Sequence, residues 1–226
     1  MGTPYIPNMV PVKFTKYVED NIKPLYELEK SGHDWKHIEE VMLNMSILLQ
    51  KAENSSMDDG TIHPVNCYLA VVFHDFSLAA DIRNKRETHE IDSGMLFQMD
   101  EFIRQNLDPP QINKITDAIY KHRASSGEQK RTTLGKLLFQ ADRCFYTMKP
   151  EDVFKRSFTF NRKHNCLDTD IEVSIKAVNH LIEKYGEHGY AYDVIYFPEG
   201  TAEFRNNMKV FLDEARLLLG DKIKED

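Results

Sequence analysis

Residues 33–51 read HDWKHIEEVMLNMSILLQK, and the spacing of their apolar side chains decides the fold class. Ile38, Val41, Met42, Met45, Leu48 and Leu49 step by three and four residues, which lines them along one face of a helix. Upstream, Ser31 followed three residues later by Asp34 resembles a capping box, and a carboxylate in the first turn suits the helix dipole. Downstream, the polar run NSSMDDG at 54–60 predicts the end of this helix, and Pro64 predicts the first position of the next one. That next stretch, PVNCYLAVVF at 64–73, has no polar face and reads as a helix buried on every side.

Helical spacing continues through most of the chain. Helices are expected at about 87–106, about 110–123, about 131–147, about 168–185 and about 199–219, punctuated by Pro109–Pro110 and Lys149–Pro150. The one strand-like stretch, YAYDVIYF at 190–197, alternates too weakly to support a sheet. The expected fold is therefore all-α: a compact multi-helix bundle with an irregular aromatic segment before the C-terminal helix. A single domain over 1–226 is expected, with a motif-bearing core at about 30–145 and a C-terminal helical elaboration at about 150–226.

The composition narrows the function classes. Of 226 residues, 41% are hydrophobic and 11% aromatic, enough to build a core and to exclude a disordered chain. Lys+Arg 29 against Asp+Glu 36 gives a net charge of -7, which argues against a constitutive binder of duplex nucleic acid. No run approaches the roughly 20 apolar residues of a membrane span, and the first residues lack a basic region followed by an apolar one. A soluble, unprocessed protein with no membrane partner is expected. Cys67, Cys144 and Cys166 are widely spaced and form no CxxC pattern, so a reducing cytoplasm is the simpler location.

Nine histidines against one tryptophan is the unusual count. His37 lies four residues before Val41, at the edge of an apolar stripe. His74 and Asp75 end the most hydrophobic helix, and His122 lies three after Ile119. Asp142 follows Leu138 by four, and His89 leads another helix. A single inward histidine is ordinarily a satisfied core residue, and a buried carboxylate is costly unless paired or bound to a cation. Four inward histidines and two inward aspartates on five helices instead converge as imidazole and carboxylate donors, a set suited to divalent metal.

These residues fall in the order GHDWKHIEEV (32–41), VFHDF (72–76), THEIDSG (88–94), AIYKHR (118–123) and KLLFQADR (136–143). The series resembles the HD-domain metal-dependent phosphohydrolase superfamily, in which H, HD and D lie on successive helices of an all-α domain. The resemblance spans roughly residues 30–145, and the tail EGTAEFRNNMKVFL at 199–212 is similar to the closing helix of small bacterial or phage-type members. It implies that His37, His74, Asp75 and Asp142 ligate a metal. It also implies that His89 and His122 hold a second ion bridged by Asp75, or face the substrate phosphate where no second ion binds. Phe76 and Ser77 depart from relatives that follow His-Asp with a small or glycine-containing turn.

The resemblance implies one or two divalent ions, of manganese, iron, cobalt, nickel, magnesium or zinc, and a small phosphorylated substrate such as a nucleotide. A bound ion lowers the pKa of water from about 15.7 toward about 7, and Asp75 is the expected catalytic base. Arg143, Arg123 and Lys121 adjoin ligands and could contact the phosphoryl group, as could His33, which could equally orient His37. Arg83, Lys85 and Arg86 precede His89 and either form a solvated loop or reach a polyphosphate. Tyr185, Tyr190, Tyr192, Tyr196 and Phe197 either stack on a base or belong to a core. Phosphohydrolase action on a small nucleotide is the leading expectation. A phosphodiesterase on cyclic or oligonucleotides, a non-catalytic metal-stapled nucleotide-binding regulator and a di-iron oxygenase stand as alternatives.

Overall fold

A computed structural model describes residues 5–28, 33–53, 59–80, 88–123, 129–143, 145–198 and 200–223. Ser31 of the expected capping box, most of the 54–60 run, the basic residues Arg83, Lys85 and Arg86, and Cys144 lie outside the described residues. Every regular element described is helical, so the all-α expectation holds. Backbone packing separates two compact units, one ending at residue 144 and the other running from Phe145 onward.

The first unit is built on α1 (Val12–Tyr17), α2 (Lys23–Leu28), α3 (Trp35–Glu53), α4 (Pro64–Phe73), α5 (Phe76–Ala79), α6 (His89–Met99), α7 (Glu101–Asn106), α8 (Pro109–Tyr120) and α9 (Thr133–Ala141). Helix α4 is its axis, with every residue from Val65 to Phe73 buried, and it packs on α3, α8 and α9. Pro64 takes the first helical turn, where its missing N–H costs nothing, and His63 Nδ1 accepts the Val65 N–H at 3.3 Å. Helix α3 turns Ile38, Val41, Met42, Met45, Leu48 and Leu49 inward as its spacing requires. At its start Asp34 Oδ1 accepts the His37 N–H at 3.2 Å.

Three local differences from the sequence-based helices have physical causes. The stretch expected as one helix at 87–106 is two, because Asp100 leaves the helix with extended backbone and its carboxylate accepts the Ile103 N–H at 2.9 Å. The helix expected to reach 147 ends at Ala141, so Asp142 and Arg143 sit in the turn beyond it. Helices α1 and α2, joined by a wider turn at Val18–Ile22, were not expected, although Phe14, Val18, Ile22 and Tyr26 recur every four residues and are all buried.

The second unit consists of α10 (Pro150–His164), α11 (Asp170–Tyr185) and α12 (Thr201–Leu219), which pack on one another. Helix α10 also escaped the sequence reading because its apolar residues are few among charges, yet Pro150, Glu151 and Asp152 form an ordinary helix start. Thr169 and Glu172 make a full capping box on α11. The aromatic segment at 190–197 is a short 3₁₀ turn followed by bends. Tyr185, Tyr192, Phe145 and Phe204 interlock through ring contacts and Phe197 is buried, which makes this group part of the core of its unit. None of the described helices is long and apolar enough to cross a membrane.

Candidate metal centre

Six side chains from five helices of the first unit meet in two groups: His37, His74, Asp75 and Asp142, and then Asp75, His89 and His122. Within each group one donor atom per residue lies within 4.8 Å of every other. Most of these residues occupy helix ends: His74 and Asp75 follow α4, His89 opens α6, His122 follows α8 and Asp142 follows α9. The last carbonyls of a helix have no partner within it, and two of the histidines use them. His74 Nδ1–H donates to the Val71 carbonyl and His122 Nδ1–H to the Ile119 carbonyl, both at 2.7 Å. Each bond fixes the ring orientation and turns Nε2 toward the cluster.

Asp75 divides its carboxylate between the groups. Oδ2 lies 3.2 Å from His74 Nε2 and 3.5 Å from His37 Nε2, while Oδ1 lies 3.2 Å from His89 Nε2 and 3.5 Å from His122 Nε2. Asp142 Oδ1 closes the first group at 3.2 Å from His37 and 3.6 Å from His74. Paired Nε2 atoms, His37 with His74 and His89 with His122, are each 3.3 Å apart. Asp75 holds this position through a backbone conformation near φ -112 and ψ 14, in the sparsely populated bridge region. The hydroxyl of Tyr26, wholly buried on α2, donates to the Val72 carbonyl at 2.8 Å and ties down the end of α4 beside it.

The charges are strongly coupled. Burial alone would push His74 down, but Asp75 and Asp142 beside it hold it well above the usual imidazole range. Burial would likewise raise both carboxyls, and the surrounding imidazoles hold Asp75 and Asp142 well below theirs. His33, about a quarter exposed, places Nδ1 2.7 Å from Asp75 Oδ2. Burial nevertheless leaves it below its ordinary value, with Asp75 opposing. The donor set fits a divalent cation: imidazole nitrogens aimed inward, two carboxylates for charge, and a buried Asp75 Oδ1 that no hydrogen bond satisfies.

The residues expected to face substrate have distinct surroundings. His33 touches the donor set directly through Asp75. Lys121 pairs with Asp117 one turn earlier on α8. Arg123 lies 3.6 Å from Glu90 Oε1. Arg143 is buried, stacked 3.4 Å from the Phe139 ring centroid, and donates to the Phe139 carbonyl. Phe76, at the departure from the family pattern, is buried against Tyr26 and Phe73, and Ser77 Oγ donates to the His89 carbonyl at 3.0 Å.

Sequence reasoning missed Glu90, Tyr26 and Ser77 as supports of this cluster. Glu90 had a signal, a charge next to an expected ligand, whereas nothing local in the sequence pairs Tyr26 with Val72.

Comparison with family models, with curated proteins and with solved structures returned no significant match to this chain. Fold and site together define an all-α protein with a buried His/Asp cluster that can hold a metal ion.

Proposed function

We propose that the chain is a metal-dependent hydrolase of HD type, cleaving a phosphate ester or anhydride of a nucleotide or similar small phosphorylated metabolite. The observation that carries this reading is the sharing of Asp75, one oxygen toward His37, His74 and Asp142 and the other toward His89 and His122. His37, His74, Asp75 and Asp142 would hold one ion, and Asp75, His89 and His122 a second. Bound divalent metal would supply Lewis acidity toward phosphoryl oxygens and water acidified toward a pKa of about 7.

The chain's own groups divide the remaining work. Asp75 is the catalytic acceptor of a proton from the attacking water, and His33 Nδ1, 2.7 Å from its Oδ2, holds that carboxylate in place. The two carboxylates neutralise only part of the charge of two divalent ions, which leaves the site attractive to phosphate oxygens. Arg143 adjoins Asp142, and Lys121 and Arg123 flank His122, with Lys121 paired to Asp117 and Arg123 to Glu90.

The test begins with metal analysis of the purified protein. It continues with a panel of nucleotides and phosphoesters in added manganese, cobalt, nickel or magnesium. Bound metal with turnover is expected, and neither metal nor hydrolysis on any member overturns the proposal. Released inorganic phosphate or triphosphate, as against an opened cyclic ring, separates a phosphohydrolase from a phosphodiesterase.

The near-complete burial of His37, His74 and His122 also favours a second reading, a metal staple in a non-catalytic nucleotide-binding regulator. Asp75→Asn distinguishes the two. An enzyme has turnover that the variant loses, whereas a staple has no turnover to lose and shows only a lower melting temperature in the presence of metal.

A further inference from the structure

Resting on the two-ion reading, we propose that Glu90, braced by Arg123, is the positioning residue of His89 and sets the affinity of the Asp75–His89–His122 group for its ion. His74 and His122 each have Nδ1 fixed by a carbonyl three residues earlier at the end of their own helix. His89 is the first residue of α6 and has no preceding turn to offer one. Its Nδ1 instead faces Glu90 Oε2 at 3.3 Å. A carboxylate beside Nδ1 favours the tautomer that carries its proton there, which leaves the Nε2 lone pair toward Asp75 and raises the basicity of that nitrogen.

Glu90 is built for this task rather than for solvent. Its side chain is 10% exposed, and Oε2 is buried beside His89 Nδ1 with no hydrogen-bond partner. A carboxylate removed from water in this way needs compensation, and Arg123 provides it at the other oxygen, Oε1. Glu90 directly follows His89 and Arg123 directly follows His122. Their ion pair therefore joins the start of α6 to the end of α8, the two places from which the second group draws its imidazoles. Ser77 Oγ holds the His89 backbone carbonyl, and Glu90 acts on the ring. The Arg123 charge acts on the site through Glu90.

Full-length protein stripped of metal is titrated with manganese by calorimetry and with cobalt by visible absorption, and wild type is compared with Glu90→Gln, Arg123→Met and the double variant. Wild type is expected to take up two ions. Glu90→Gln keeps the shape of the side chain and is expected to weaken the second binding event about 10- to 100-fold, with the first unchanged. Arg123→Met should weaken the same event less, and the double variant should cost less than the sum because both act through one carboxylate. Far-ultraviolet dichroism checks that helix content is retained.

Two unchanged binding events in Glu90→Gln overturn the inference alone, as does equal weakening of both. A wild-type protein that binds at most one ion overturns the two-ion reading together with it. None of these readouts requires turnover, so failure to find a substrate leaves them intact.

Discussion

A proton on His74 competes with a metal ion for the same nitrogen. With Asp75 and Asp142 beside it, the imidazole is held above its ordinary range and keeps a proton that a ligating nitrogen must give up. Metal affinity is therefore expected to fall by up to about tenfold per pH unit below the raised pKa of His74. Calorimetry in buffers of different ionisation enthalpy should detect proton release on binding. Affinity independent of pH between 6 and 8 would remove His74 from the ligand set.

The metal-free protein should respond to pH with two opposed slopes. The depressed carboxyls of Asp75 and Asp142 add stability above their unfolded value of about 3.9, which is lost as pH falls through their lower folded values. The raised His74 adds stability below about 6.5, which is lost as pH rises through its folded value. His33, depressed, opposes His74 in sign, but it contacts one carboxylate whereas His74 contacts two. Melting temperature without metal should peak in mild acid and decline toward alkaline pH, and with excess metal it should instead rise across neutral pH.

Among the elements, α6 and α8 set the second donor group, and their separation is controlled by Gly94. A Cβ at that position would overlap the Tyr120 ring on α8. Gly94→Ala is expected to cost about 1–3 kcal/mol through overpacking and to move the His89 end of α6 relative to His122. A thermal melt and a metal titration on this variant should show lower stability together with a weaker second binding event. If the melt falls while both binding events keep their affinity, α6 has absorbed the strain away from His89. The element boundaries were only partly legible beforehand. Asp100 looked like one more residue of a long helix because its capping role depends on turning out of that helix toward Tyr17 on α1, a contact 83 residues away in sequence.

On the scale of the whole molecule, ion binding should act as a fold stabiliser because the donors come from five separate helices that an unfolded chain scatters. At free metal 100-fold above the dissociation constant, each site adds about 2.7 kcal/mol, readable as a rise in melting temperature that a chelator reverses. Absence of any shift with manganese, cobalt, nickel, magnesium or zinc would mean that the cluster is not a metal site.

Sequence alone determined the all-α class and the ordered set His37, His74–Asp75, His89, His122 and Asp142. Both are largely local properties: apolar spacing along each helix turns a face inward, and the polar residues on that face or in the turn that ends the helix are carried into the interior with it. Only the tertiary structure decided that Asp75 points one oxygen at each group, that Tyr26 holds the end of α4, and that Glu90 pairs with Arg123 behind His89. Those choices depend on which helix ends meet and which rotamers the packing of distant segments allows, and no window of sequence around any one of these residues contains that information.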